Sequence, residues 1–153
     1  MLDELKTHLI KFEGLITSPY HCTSGKLTIG VGRNLEDNCI SVDEALFLLG
    51  NDLENVFKEL HNTFPWYEDA PEKVKLVIAD MCFNLGLPGL LSFKKMLKAI
   101  EEKDWIEAAN QILNSRYAEQ VGNRAVYNAH LLETTGKDPC LTKLKKGYRT
   151  TAD

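Results

Sequence analysis

The first twelve positions of the chain have apolar residues at helical spacing. These residues are three or four positions apart, so they predict one amphipathic helix over residues 2–12; they are Leu2, Leu5, Leu9 and Phe12. Gly14 follows closely and is typical of a helix end. The chain therefore begins with a short helix that stops near residue 13.

The pattern then changes to short alternating runs rich in turn residues. The turn Thr23-Ser24-Gly25 separates two such runs, which predicts a β-hairpin. In the second strand Thr28 shares one face with Gly30 and Gly32, because side chains alternate along a strand. Two glycines beside Thr28 predict an open polar surface where a ligand can approach the backbone.

The rest of the chain has helical periodicity. Ser41 and Glu44 form a capping box at the start of a helix that runs to about His61. The later helices are predicted at about residues 72–85, 92–102, 104–114 and 122–134. The tetrapeptide Gly86-Leu87-Pro88-Gly89 predicts a tight connection between two of them.

This order of elements predicts an α+β fold with a small β-hairpin lobe and a larger helical lobe joined by a long helix. We expect the β lobe over about residues 14–40 and the bridging helix over 41–62. Residues 63–153, together with residues 1–12, would form the helical lobe. A chain of 153 residues is typical of a single domain.

Composition and charge exclude several classes of protein. With 44% hydrophobic and 26% charged residues the chain is expected to fold around a core. The net charge is −4 and neither half is strongly positive, so we expect no nucleic-acid partner. No uncharged stretch approaches the roughly 20 residues of a membrane span, so stable membrane insertion is not expected. The acidic N-terminus lacks the pattern of a signal peptide, which favours synthesis in the cytoplasm.

The four cysteines do not form a metal-binding pattern. They are Cys22, Cys39, Cys82 and Cys140, with no CxxC pair among them, so no metal site is expected. Cys82 lies in an apolar run and is predicted to be a core thiol. The sequence leaves the disulfide state open. The locally basic stretch at residues 143–149 is interpreted as a solvated end.

Glu13 has an unusual position for an acidic residue. It falls at the C-terminal end of the first predicted helix, where the helix dipole disfavours a negative charge. One interpretation is a surface side chain at a frayed end. The other is a carboxyl group that favours its protonated form and so suits a general acid.

Glu13, Cys22 and Thr28 fit the pattern Glu-x8-Asp/Cys-x5-Thr, and three further blocks follow in order. The blocks are Asp80-Met81-Cys82-Phe83-Asn84-Leu85-Gly86, Trp105-Ile106-Glu107-Ala108-Ala109 and Asn123-Arg124-Ala125. Together they closely resemble the phage lysozymes, or endolysins, of the T-even bacteriophage type. The resemblance covers about residues 1–136 and implies a lysozyme-like α+β muramidase. Such enzymes cleave the β-1,4 bond between N-acetylmuramic acid and N-acetylglucosamine in bacterial peptidoglycan.

The resemblance also implies roles for individual residues. Glu13 would be the catalytic acid, and Thr28 would help to place the attacking water. Cys22 stands where the best-known members carry Asp. Three interpretations of it remain open: a thiolate that assists the water, a group that holds the hairpin while Thr28 orders the water, or a buried filler. Oxidation of Cys22, or a bridge to Cys39, would be expected to block the first role.

Other positions match the substrate groove of the family. Arg124 matches an arginine that pairs with the catalytic Glu, although a purely structural role is equally open. Phe83 and Gln111 match groove positions near the sugar chain. Gly30 and Gly32 are expected to allow close approach of substrate to the hairpin. The segment from residue 34 to residue 40 is shorter than in the best-known members, which carry an extra helix there.

The resemblance sets the expected partners and the rival functions. It implies a monomer without a cofactor that reaches peptidoglycan in the periplasm through a holin-type pore. A lytic transglycosylase acting on the same bond is the nearest rival, since it needs one Glu and no second carboxylate. A cysteine amidase or peptidase would need a Cys–His pair, and His21 and Cys22 point to opposite faces of their strand. A non-catalytic peptidoglycan-binding module is the remaining alternative.

Overall fold

The computed structural model describes residues 1–137, which form eight helices and three short strands in that part of the chain. The elements are α1 (Leu2–Glu13), β1 (Ile16–His21), β2 (Leu27–Gly30), β3 (Arg33–Asn34), α2 (Leu35–Asn38), α3 (Val42–Thr63), α4 (Glu72–Leu91), α5 (Lys94–Glu101), α6 (Trp105–Leu113), α7 (Arg116–Val121) and α8 (Asn123–Glu133). The α+β class is confirmed. Cys140 and the basic stretch at residues 143–149 lie outside the described residues.

The chain divides into two compact units, and the boundary falls within helix α3. The first unit is Met1–Gly50 and contains α1 and the sheet; the second begins at Asn51. The assignment of residues 1–12 to the helical lobe stays a prediction.

The first unit is built around a three-stranded antiparallel sheet of order β1-β2-β3. The predicted hairpin is confirmed: Tyr20 pairs with Thr28 and His21 with Leu27. The register shifts between Ile16 and Tyr20, in the stretch that contains Pro19, which has no N–H to donate to the ladder. The short segment after β3 contains a single-turn helix, α2, which the sequence analysis did not predict.

The capping box at the start of α3 is confirmed. The Glu44 backbone N–H donates to Ser41 Oγ at 3.2 Å, and the Ser41 backbone N–H donates to Glu44 Oε2 at 2.7 Å. Glu44 also accepts a hydrogen bond at 2.8 Å from Arg33 in β3. The start of α3 is therefore joined to the edge of the sheet by one ion pair.

The second unit has a continuous apolar core. Helix α6 packs against α5 and α8, and α4 packs against α8. The completely buried apolar residues come mainly from α4, α6 and α8; they are Leu60, Val74, Val77, Ile78, Met81, Leu90, Ala108, Ala109, Ile112, Ala125 and Leu132. Cys82 is 1% exposed, so its prediction as a core thiol is confirmed.

Helix α4 consists of two helical segments that meet at Gly86, which has non-helical dihedral angles, φ 71° and ψ 164°. This break confirms the predicted helix end near residue 85, and only glycine adopts such a conformation without strain. Residues 87–89, which were predicted as part of a connection, are helical and lead to Leu91. By length and composition α4 is apolar enough to cross a membrane, as core helices of globular domains also are. Helix α7 was also not predicted.

Ile112 and Leu113 provide a test of this core, because they are adjacent in α6 and differ in burial. Ile112 is completely buried and Leu113 is 41% exposed. We expect Ile112→Ala to lower the free energy of unfolding by about 2–5 kcal/mol, since it leaves a cavity. Leu113→Ala is the matched control and should cost about 1 kcal/mol or less. Urea denaturation measures both, and equal losses would contradict this packing.

Candidate functional site

Glu13 is the last residue of helix α1, as the sequence analysis predicted. Gly14 ends the helix with φ 80°, and its N–H donates to the Ile10 carbonyl at 3.0 Å. A Cβ atom at position 32 would lie 3.9 Å from Glu13 Oε2, and Gly32 has φ 71°. The carboxylate therefore lies beside the turn that follows β2, where a glycine leaves its flank open. Glu13 itself is exposed.

Cys22 lies at the first corner of the hairpin turn. Its backbone N–H donates to the Lys26 carbonyl at 3.0 Å, and its carbonyl accepts from the Gly25 N–H at 2.8 Å. The thiol Sγ lies 3.0 Å from Ser24 Oγ. Cys22 is half-buried and its thiol is free. The turn thus holds the sulfur next to a hydroxyl group that can donate to it.

These contacts favour the thiolate form of Cys22. The Ser24 hydroxyl, followed by the backbone N–H groups of Ser24 and Lys26, lowers the pKa of the Cys22 thiol to about 7. A hydrogen bond donated to a charged group stabilises that form. The Cys22 thiol therefore ionises more readily than an ordinary cysteine thiol. This environment favours the interpretation of Cys22 as an ionisable group over that of a filler.

Thr28 is more enclosed than the sequence predicted. It lies in the central strand β2, paired on one side with Tyr20 and on the other with Asn34. It is only 3% exposed, so the expected open surface is not present at this residue. Its hydroxyl donates to the Lys26 carbonyl at 2.9 Å. The Thr28 oxygen is thus left with lone pairs that can accept a hydrogen bond.

Gly30 lies on a groove of about 650 Å³ between β2 and the start of α3. The groove is mostly apolar, with Ile29, Val31 and Phe47 in its wall and the Arg33–Glu44 ion pair at one side. Ile29 and Val31 point away from Thr28 along the strand, because side chains alternate. This groove therefore lies on the face of the strand opposite the Thr28 side chain, and Gly30 borders it through its backbone.

In the second unit Arg124 is bound by Asp80. Its Nη2 donates to Asp80 Oδ1 at 2.7 Å and its Nε donates to Oδ2 at 3.0 Å. Asn128 donates a further hydrogen bond to Asp80 Oδ2 at 2.7 Å. Burial raises the pKa of Asp80, but the hydrogen bonds from Arg124 and Asn128 outweigh it and leave the pKa below its usual value. The pairing of Arg124 with Glu13 stays a prediction.

The remaining predicted groove residues of the second unit lie on different surfaces. Phe83 is 44% exposed on α4. Gln111 lines a groove of about 590 Å³ together with Phe93 and Tyr117, whose rings meet edge to face at 5.9 Å. Gln111 donates to Glu107 Oε1 at 2.6 Å, so its amide is oriented by the residue one turn earlier. Phe83 does not line this groove.

The first unit thus brings Glu13 beside Gly32, and the hairpin turn brings Cys22, Ser24 and Thr28 together. Sequence analysis missed Ser24 as the partner of the thiol. The signal was present, since Ser24 is two residues from Cys22 inside a predicted turn. It also missed Asp80, which is 44 residues from Arg124 and carries no local signal. Within residues 1–137 no three His, Cys, Asp or Glu side chains are grouped to bind a metal ion.

Comparison with known proteins finds matches over most of the chain. The family model described as phage lysozyme matches residues 10–129 of the chain. Two proteins of Dictyostelium discoideum, named Probable T4-type lysozyme 1 and Probable T4-type lysozyme 2, are each 28% identical over 163 aligned residues. Each alignment covers 88% of this chain and 96% of the relative. The region matched by the family model contains every predicted site residue.

The role of Ser24 can be tested by the reactivity of the thiol. Ser24→Ala removes the hydroxyl donor, so the pKa of Cys22 should rise from about 7 toward the ordinary value of about 8.5. Alkylation by iodoacetamide at a series of pH values, followed by mass spectrometry of the peptide that contains Cys22, measures this midpoint. Thr23→Ala is the matched control and should leave the midpoint unchanged. Identical midpoints in the two variants would contradict the role of Ser24.

Proposed function

The chain belongs to the phage lysozyme family and is a lysozyme-like peptidoglycan hydrolase, and we propose that it cleaves the β-1,4 bond between N-acetylmuramic acid and N-acetylglucosamine. The observation that carries the proposal is the position of Glu13 at the end of α1, beside the glycine turn of the unit whose hairpin carries Cys22 and Thr28. We further propose that the protein acts as an endolysin that lyses bacterial cells.

Glu13 is proposed to be the general acid. Cleavage of a glycosidic bond needs a proton on the leaving oxygen and a group that stabilises positive charge or activates water on the other face of the sugar. The exposed carboxyl group of Glu13 has Gly32 as its neighbour, so no Cβ atom blocks the approach of a sugar from that side. Within the first unit no hydrogen bond occupies the Glu13 carboxyl group, which leaves both of its oxygens open to a bound sugar.

Cys22 is proposed to supply the second group. A general base works best when its pKa lies near the operating pH, and the pKa of the Cys22 thiol is about 7. As a thiolate, Cys22 can accept a proton from water or stabilise the positive charge that develops on the sugar. We therefore propose that the ionised thiol does the work that Asp does in the best-known members.

Thr28 is proposed to orient the attacking water. Its hydroxyl donates to the Lys26 carbonyl at 2.9 Å, and its oxygen has lone pairs that can accept a hydrogen bond from a water. A water that donates one hydrogen to Thr28 Oγ1 and the other to the Cys22 thiolate would direct a lone pair outward. Because Thr28 is nearly buried, this position suits one ordered water rather than bulk solvent.

Phe83, Gln111 and Arg124 are proposed to contribute from the second unit. Phe83 presents an exposed aromatic ring that can pack on the apolar face of a sugar. The Gln111 amide, oriented by Glu107, can hydrogen-bond to an acetamido group. Asp80 binds the Nε and Nη2 groups of Arg124, and the Nη1 group remains available for another acceptor.

The cellular setting is proposed from the family. Bacterial peptidoglycan is the expected partner, and the protein would be made in the host cytoplasm and act on the wall after release through a holin-type pore. We propose that it works as a monomer and without a cofactor.

The products released from peptidoglycan test both the role of Glu13 and the bond that is cleaved. Purified peptidoglycan treated with the protein should release fragments with a hydrated N-acetylmuramic acid reducing end, detected by mass spectrometry. Glu13→Gln should abolish release, because the amide cannot donate the proton. Glu4→Gln is the matched control on the same helix, where Glu4 is exposed and bound only to the N-terminal amine among the described residues.

Other products would contradict this assignment. A 1,6-anhydro end would identify a lytic transglycosylase, and free peptide termini an amidase or peptidase. Binding without release of fragments would identify a binding module. Full activity of Glu13→Gln would exclude Glu13 as the acid.

The role of the Cys22 thiolate can be tested by replacing it with a carboxylate. Cys22→Asp should retain or raise activity, and the rate should extend to lower pH, because an aspartate is ionised above about pH 4 whereas the thiol is ionised above about 7. The pH profile of turnover measures this shift. Cys39→Ser alters another free thiol and should keep the profile of the unaltered protein. An inactive but folded Cys22→Asp protein would show that the thiol has a role that a carboxylate cannot fill.

A further inference from the structure

The second unit has a pocket that none of the proposed catalytic or groove residues lines. It has a volume of about 340 Å³ and lies between the turn after α3 and the α5–α6 connection. Trp66 and Trp105 lie in its wall together with Asp69, Glu101 and Lys103. These are the only 2 tryptophans of the chain. The volume falls at the lower end of the range of about 300–1,000 Å³ that small-molecule sites occupy.

Local structure holds the first tryptophan in place. The turn after α3 is closed by hydrogen bonds from the Tyr67 N–H to the Phe64 carbonyl at 3.0 Å and from the Ala70 N–H to the Tyr67 carbonyl at 3.2 Å. Within this turn, Trp66 Nε1 donates to Glu101 Oε1 at 3.2 Å. This hydrogen bond holds the indole against a residue that is 35 positions away in the sequence. The second carboxylate oxygen of Glu101 remains for another donor.

The second tryptophan is fixed by a helix start. Lys103 has φ 59°, which turns the chain sharply between α5 and α6. Asp104 then caps α6, because its Oδ1 accepts the Glu107 N–H at 3.0 Å. Trp105 is therefore the first residue of α6 and is only half-buried. Two large aromatic side chains that are held rigidly and remain partly exposed are typical of a binding surface.

The charged groups select the class of ligand. Asp69 and Glu101 offer carboxylate oxygens that accept hydrogen bonds, and Lys103 offers an ammonium group that donates them. An anion would meet two carboxylates, and a cation would meet the ammonium group. A neutral molecule with several hydroxyl groups can use all three side chains, and an apolar ring face can pack on an indole. These requirements describe a pyranose sugar.

We propose that this pocket is a second, non-catalytic carbohydrate site that binds an N-acetylglucosamine unit of the glycan. The class of ligand follows from the lining of the pocket, while the choice of this sugar rests on the proposed function. Such a site holds the enzyme on the glycan strand through contacts that are separate from those proposed for cleavage.

The two tryptophans make the test specific. Because no other tryptophan is present in the chain, any change in tryptophan fluorescence reports on this pocket or its immediate surroundings. The full chain is titrated with N-acetylglucosamine and with its β-1,4-linked dimer. We expect a saturable change with a dissociation constant of about 1 mM, a value typical of a small site with few contacts. No change up to about 100 mM, a hundredfold higher, would overturn the proposal.

Two variants localise the binding. Asp69→Ala keeps both tryptophans and removes one acceptor, so affinity should fall about tenfold, as expected for the loss of one hydrogen bond to a charged group. Trp66→Phe should weaken binding to a similar degree, measured by calorimetry because it removes a reporter. Glu119→Ala, at an exposed position of α7 that does not line the pocket, is the matched control and should bind as the unaltered protein does. Unchanged affinity in both pocket variants would overturn the site.

Two further measurements distinguish this site from the proposed catalytic function and from a site for cations. Glu13→Gln should lose turnover but keep the fluorescence response, so a failure of the proposed function and a failure of this site are distinguishable. Tetramethylammonium serves as a cationic probe, because it can pack on an indole ring and carries no hydroxyl group. A saturable response to this cation that is stronger than the response to the sugars would overturn the assigned class of ligand.

Discussion

A carboxylate inside the helical unit must be matched by hydrogen-bond donors, and the arrangement of α4 and α8 depends on how Asp80 meets that requirement. Arg124 donates through Nε and Nη2, and Asn128 donates from the next turn of the same helix. Donors four residues apart lie on one face of a helix, so α8 must present that face to α4. Removal of either partner would leave a partly buried charge unmatched, which costs more than an apolar replacement of the whole pair. The pair therefore fixes the position of α8 more strictly than apolar packing alone.

In the hairpin, the charge of the Cys22 thiolate is likewise stabilised by nearby hydrogen-bond donors. A thiol in water ionises at about pH 8.5, and only a few per cent is thiolate at pH 7. The tight turn after Cys22 places a hydroxyl and two backbone N–H groups near one sulfur, and the pKa falls to about 7. No positive side chain has to lie against the sulfur for this shift. The turn sequence Thr23-Ser24-Gly25 therefore lowers the pKa of the Cys22 thiol as well as reversing the chain.

The sequence predicted features that depend on local pattern. The helix ending at Glu13, the hairpin, the capping box of Ser41 and Glu44, and the core position of Cys82 all follow from periodicity and short-range hydrogen bonding. The features that it missed depend on contacts distant in sequence or on short elements. Helix α7 has only 6 residues, too few for a periodic signal. The helical segment after Gly86 is also short, and its Gly-x-Pro-Gly run is typical of a connection rather than of a helix.

In the candidate site, too, features set by neighbouring residues were predicted and features set by distant contacts were missed. The sequence placed Glu13 at a helix end and Cys22 and Thr28 on a hairpin, since each placement needs only neighbouring residues. The burial of Thr28 depends on Tyr20 and Asn34 in the strands on either side, and so it could not be derived from the alternation within one strand. The Trp66–Glu101 hydrogen bond likewise joins residues 35 positions apart.

The two interpretations of Arg124, a structural pair and a contributor to catalysis, do not exclude each other. The negative charge of Asp80 balances the positive charge that Arg124 keeps, and the two hydrogen bonds through Nε and Nη2 fix the plane of the guanidinium group. An arginine paired in this way acts through directed N–H groups more than through its free positive charge. A lone arginine next to a general acid would favour the ionised acid and so oppose catalysis. The Asp80 carboxylate weakens this effect, so Arg124 is proposed to act on a bound sugar through directed N–H groups rather than through its charge.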